Sequence, residues 1–176
     1  MLFSLLWGCL DHLPADQREE EFVAFQSDFA SFLSWESVFV ADEPLGEGHL
    51  EGPRTVYYNQ LPSVEDEEFP IGTILVKVAR NGDNPTEWEI PAAVKRGGGY
   101  NPQGAAGWEW LELVLDEDQV PAILWRGEGP PSGSGYECQL GDGASAEDAI
   151  TGDCNACHNG SWRNDYVQSG PLQFFQ

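Results

Sequence analysis

Between residues 54 and 125 the chain is written in short runs of β-branched and aromatic residues: 54–59 (RTVYYN), 71–79, 87–90, 92–95, 108–115 and 122–125. Turn formers separate them, at Asn81-Gly82-Asp83-Asn84-Pro85, Gly97-Gly98-Gly99 and the glycine-rich stretch 127–135. Runs of this length and composition pair as strands, and short connections join neighbours antiparallel. The pattern predicts an antiparallel sheet of about five strands. It is preceded by an apolar stripe of Phe22, Phe25, Phe29 and Phe32, following Pro14 and the acidic Glu19-Glu20-Glu21. Spacings of three, four and three after a Pro-led, acidic first turn predict an amphipathic helix of about 20 residues ending near Ser34. The expected class is α+β. A length of 176 residues suits one domain, taken as 10–176 with a signal remnant at 1–9.

After a Gly/Pro/Ser-rich loop and a short helix expected near 144–150 comes Cys154-Asn-Ala-Cys157-His158, eighteen residues before the last residue given. C-x-x-C-H is the attachment sequence of c-type haem: both thiols add to the porphyrin vinyls and the histidine becomes an iron ligand. C-x-x-C also serves zinc sites and redox pairs. A zinc site needs two further ligands, but Cys9, His12, His49 and Cys138 form no second cluster. A redox pair is expected after the first strand of a βαβ unit, which this sequence lacks. Covalent haem c is the reading that remains, its pocket built from upstream strands with a C-terminal haem-binding helix or loop. The only methionine is Met1, and His12 and His49 stand in polar surroundings. Elimination leaves a five-coordinate iron with an open distal site, which binds or transforms a small molecule.

Composition narrows the partners. Thirty acidic against eight basic residues give a net charge of −22, which repels nucleic acid and anionic headgroups; scattered acids of this kind chiefly keep a surface solvated. No stretch approaches the roughly 20 apolar residues of a membrane span. The opening MLFSLLWGCL resembles a lipobox, with Cys9 as the lipidated residue, so export to the periplasm or cell envelope on a lipid anchor is expected.

Four segments in order, "GPRTVYYNQ", "FPIGTILVKVA", "AAGWEWLEL" and "DCNACHNGSWRNDYV", resemble the cytochrome P-460 family and its relatives, the cytochromes c′-beta. The resemblance spans about residues 35–170. It implies a mostly antiparallel sheet with helices, a homodimer, and a five-coordinate haem c that meets hydroxylamine or nitric oxide. In the P-460 branch a lysine is also bonded to the macrocycle and hydroxylamine is oxidised; the c′-beta branch lacks that bond and binds nitric oxide.

The matching lysine is Lys77, one of two in the chain. In the apolar run Ile74-Leu-Val-Lys-Val-Ala, an amine is either solvated at an edge strand or buried with a partner or a lowered pKa, and a neutral amine is a nucleophile. Arg54 matches the family's distal arginine, which holds a polar ligand over the iron; a surface salt bridge is the alternative. The family's distal glutamate, a proton acceptor, corresponds to Glu109 or Glu112, which a separation of three places on opposite faces of a strand. Glu112 is the better match, sharing its face with Trp108 and Trp110. Core packing accounts for most of the tryptophans. The expectation is an exported haem c oxidoreductase acting on hydroxylamine or another small nitrogen oxide, with a redox partner the sequence does not name. The alternatives are a nitric oxide binder and a six-coordinate electron carrier.

Overall fold

A computed structural model describes residues 20–41, 53–80, 82–131 and 154–172. Cys9, His12, His49, Cys138, the start of the expected N-terminal helix and the expected helix at 144–150 lie outside them. One antiparallel sheet organises the rest: β1 Glu36–Val40, β2 Arg54–Tyr58, β3 Ile74–Ala79, β4 Ile90–Lys95, β5 Trp108–Leu115 and β6 Pro121–Gly127, each paired with the next in chain order. The expected sheet gains a sixth strand, β1, and the run at 92–95 extends back through Pro91 to Ile90 as β4, while Glu87 closes a 3₁₀ turn, Pro85–Glu87.

The N-terminal helix is corrected over residues 20–34. There the chain is extended at Glu21–Ala24 level, then forms two single turns of 3₁₀ helix, Gln26–Phe29 and Phe32–Ser34. Extension wins because the sheet captures the backbone: Glu21 bridges Gly97, Phe22 donates its N–H to Arg96 O at 2.9 Å, and Arg126 Nη1 donates to Ala24 O at 2.7 Å. Each turn then plants one ring, Phe29 and Phe32, into the core, while Phe25 is 66% exposed. A spacing of three also belongs to 3₁₀ turns.

The sheet divides the molecule into two cores. On the far face Ile74, Val76, Ile90, Val94, Leu111 and Leu113 pack under Phe29 and Phe32, with Tyr57 edge-on to Phe32 at 5.6 Å. On the other, Val56, Leu75, Trp108 and Trp110 pack against Phe69, Ala105, Val167 and Leu172. This second face carries the C-x-x-C-H segment and is called the motif face below.

Strand alternation assigns every side chain to a face except where β6 is bulged. Glu112 pairs with Trp125 and Leu113 with Ile123, so Leu124 has no partner in the ladder. A bulge reverses the alternation beyond it. Trp125 consequently joins the motif face, and Arg126 the far face.

Candidate functional site

The segment after the loop forms α1, Cys154–His158, followed by a 3₁₀ stretch Asn159–Asn164. Five residues cannot hold a helix by propensity, so tertiary anchors fix it. Asn155 supplies them. Its Oδ1 accepts from Trp110 Nε1 at 2.9 Å, Asn101 Nδ2 at 2.7 Å and Ala105 N at 3.1 Å, and its Nδ2 donates to Glu128 O at 3.0 Å and Asn101 Oδ1 at 3.2 Å. Gly104 makes room, because a Cβ there would come within 2.3 Å of Asn155 Cγ. The first residue between the two cysteines is thus a plug set into the β5 side of the sheet.

Cys154 and Cys157 are thiols, not a disulfide. His158 lies against Trp110, ring centroids 4.3 Å apart. Its Nδ1 donates to Tyr166 O at 2.6 Å, since a carbonyl can only accept. This puts a proton on Nδ1, so that the neutral imidazole carries its lone pair on Nε2, the state in which a histidine ligates a metal. Tyr166 reaches back because Asp165 and Tyr166 both adopt left-handed backbone, φ +48° and +65°. The second lysine holds that turn: Lys95 Nζ lies 2.7 Å from Asp165 Oδ1, and Phe69 N donates to Asp165 Oδ2 at 2.9 Å. Both members of the pair are buried. Two thiols flanking a helical turn and an oriented imidazole form a donor set that fits a c-type haem. Among the described residues no group of three or more His, Cys, Asp or Glu is arranged to hold a bare metal ion.

The register brings together Arg54, Lys77 and Glu112. Val56 pairs with Lys77, Pro91 with Glu112 and Glu112 with Trp125. The β3–β4 register, fixed by Val76 opposite Ala92 and Ala79 opposite Glu89, sets Pro91 between Lys77 and Glu112. One cross-strand row on the motif face therefore runs Val56, Lys77, Pro91, Glu112, Trp125. The neighbouring row, Leu75, Ala93 and Trp110, carries His158 and lies about 7 Å away, two residues along each strand. Arg54, opposite Ala79, is diagonal to Lys77 on the same face and only 5% exposed.

Burial shapes the chemistry of this row. Glu112 is 3% exposed and its Oε1 accepts from Ile90 N at 2.9 Å. Burial pushes its carboxyl up from 4.5 to about 8, the Ile90 N–H opposes, Glu89 adds to the rise and Lys77 opposes it. Lys77 is pushed down, chiefly by burial and further by Arg54, while Glu89 and Glu112 hold it up. Its amine lies 3.6 Å from Glu89 Oε1. An acid raised and an amine lowered thus stand in one row with Pro91 between them, the kind of perturbed pair that marks a candidate site.

Glu109 is placed elsewhere. It lies on the far face, 2% exposed, its carboxylate gripped by the Arg126 guanidinium at Nε (2.8 Å) and Nη2, with Arg96 Nη1 at 3.7 Å. There it ties β5 to β6, and through Arg126 to the N-terminal segment. Sequence reasoning missed Asn155, Glu89 and the Leu124 bulge. An isolated Asn or Glu gives no periodic signal, and Ala122-Ile-Leu-Trp125 contains nothing that marks an extra residue.

Compared with family models, curated proteins and solved structures, the chain matches none of them.

Proposed function

We propose that this chain is a c-type haem protein with an open distal site. More particularly, we propose a protein of cytochrome P-460 type that acts on a small nitrogen compound, hydroxylamine before nitric oxide. The observation that carries the proposal is the convergence on one sheet face of Arg54, Lys77 and Glu112 with Cys154, Cys157 and the oriented His158. Cys154 and Cys157 would hold the group by thioether bonds and His158 Nε2 would ligate its iron. The haem would supply a centre that binds a small nitrogenous molecule and accepts its electrons.

The chain's own residues do the rest. The buried Arg54 guanidinium, a planar fork of donors, orients a polar or anionic ligand. Glu112, its carboxyl raised to about 8, takes a proton from that ligand in its ionised form, the fraction of which grows as pH rises towards 8. Trp110 keeps water from the histidine side. The ion pair of Lys77 with Glu89 supports a second reading, in which the lysine stays unlinked to the macrocycle and the protein binds nitric oxide without turnover.

Turnover of hydroxylamine with an electron acceptor separates the two. The first reading predicts product formation that falls at least tenfold in Glu112→Gln, since general-base catalysis typically contributes about 10²–10⁴. Spectral shifts without product would leave only the binder. A ferrous Soret band at the ordinary c-type position, with an intact mass accounted for by two thioethers alone, would rule out a Lys77 crosslink.

A further inference from the structure

Glu89 stands just ahead of β4, bridged to Ala79 across the ladder. Its carboxylate lies 3.6 Å from Lys77 Nζ, and the two side chains are 18% and 16% exposed. The next residue, Ile90, gives its N–H to Glu112 at 2.9 Å. One dipeptide thus serves both neighbours: the Glu89 side chain meets the amine, and the Ile90 backbone meets the carboxyl. Among the described residues the charged groups coupled to Lys77 are Arg54 from β2, Glu89 from the approach to β4 and Glu112 from β5. With two cations and two carboxylates, either glutamate has the charge to neutralise the lysine. The structure gives the short contact to Glu89.

We propose that Glu89 is the positioning residue of this row: it holds the Lys77 amine on its own carboxylate, so that Glu112 is not taken as the lysine's counter-ion and keeps a protonatable carboxyl. The inference deepens the function proposed above: it takes Lys77 unlinked to the macrocycle and rests on that function only for the use made of the Glu112 proton.

The division of partners has a signature that simple packing by Glu89 lacks. Glu89 holds the lysine pKa up and also raises that of Glu112. Replacing it with a neutral isostere removes both influences: the lysine loses its nearer anion, and the carboxyl loses a neighbouring negative charge while the cation of Lys77 still opposes its rise. Both groups should therefore titrate at lower pH in Glu89→Gln.

The two lysines of the chain, Lys77 and Lys95, make the first shift measurable in the full-length protein as purified. Brief acetylation across a pH series, read by mass spectrometry, gives a profile for Lys77 with Lys95 as internal reference. The infrared carbonyl band of protonated Glu112, identified by its loss in Glu112→Gln, gives the second. In Glu89→Gln, Lys77 labelling at neutral pH should rise about threefold or more relative to Lys95, as expected for a fall of about half a pH unit. The Glu112 band should disappear at lower pH than in the unmodified chain. An unmoved Lys77 profile, or a Glu112 transition that stays or rises, overturns the proposal. Should Glu89→Gln not fold, Glu89→Asp keeps the charge but retreats by one methylene; smaller shifts of the same sign support the idea, and none in either group sinks it. A negative haem assay would remove the proposed function and leave these profiles standing, whereas unmoved profiles would remove the role of Glu89 and leave the haem in place.

Discussion

Replacing Asn155 with Ala tests whether the cysteine-histidine segment is docked by a specific plug. The amide accepts three hydrogen bonds and donates two. Asn101 Nδ2 keeps a second acceptor, Trp108 O at 3.1 Å. Trp110 Nε1 and Ala105 N lose the acceptor described here, in a site where Trp110 is 5% and Ala105 0% exposed. A buried donor left without a partner costs about 1–3 kcal/mol, so two give about 2–4 kcal/mol after some relief by water. For a domain of this size that is a fall in Tm of about 6–12 °C. Thermal melting by circular dichroism reads the global loss, and hydrogen exchange across residues 154–172 reads undocking that leaves the sheet intact. Asn155→Asp, which keeps the acceptor oxygens, should lose about half as much. Gly104→Ala should act like Asn155→Ala, by driving the plug out. A fall below about 1 kcal/mol in Asn155→Ala, with no faster exchange in 154–172, would refute the docking argument.

Glu109→Ala takes from Arg126 its carboxylate while Arg96 keeps Glu21, and urea denaturation should show a loss of about 2–3 kcal/mol, below the usual result of breaking a fully buried ion pair because Arg126 is partly exposed. For Glu112 the folded carboxyl lies above its unfolded value, about 8 against 4.5. The stabilisation it gives is therefore fully present below pH 4.5 and lost as pH rises through 8, with a slope of at most about 1.4 kcal/mol per pH unit; Glu112→Gln should remove this component from stability curves measured across that window. Deleting Leu124 removes the residue that has no partner and leaves Ile123 opposite Leu113, Trp125 opposite Glu112 and Arg126 opposite Leu111, so Trp125 and Arg126 keep their faces and Arg126 keeps Glu109. The deletion should therefore still fold and keep the Glu109–Arg126 pair, and Leu124→Ala, at a side chain 52% exposed, should change stability by less than about 0.5 kcal/mol; a deletion variant that fails to fold would refute this reading of the bulge.

The central sheet was legible in sequence because its runs are rich in β-branched and aromatic residues and the turns between them in glycine and proline. β1 was hidden: Glu36, Ser37 and Phe39 are exposed and the strand follows directly on the phenylalanine stripe. That stripe misled because spacings of three and four suit a helix, while the bonds that extend residues 21–24 come from Arg96 and Arg126, distant in sequence. The opposition of Glu109 and Glu112 followed from strand alternation alone. Which of them joins the cysteine-histidine segment depends on tertiary packing, since each face of β5 is apolar and both glutamates are buried. Lys77 was singled out by its apolar surroundings, but its partner Glu89 is one acid among thirty and had no such contrast.

The central claim is covalent haem on Cys154 and Cys157, with His158 as ligand. Its most direct test is a pyridine haemochrome spectrum together with the intact mass of protein expressed in an oxidising compartment alongside haem c maturation proteins. The account predicts a c-type haemochrome and a mass increased by one haem, both lost in a Cys154→Ala, Cys157→Ala double variant. A colourless protein under those conditions, with the two cysteines recovered as unmodified thiols or joined to each other, would contradict it.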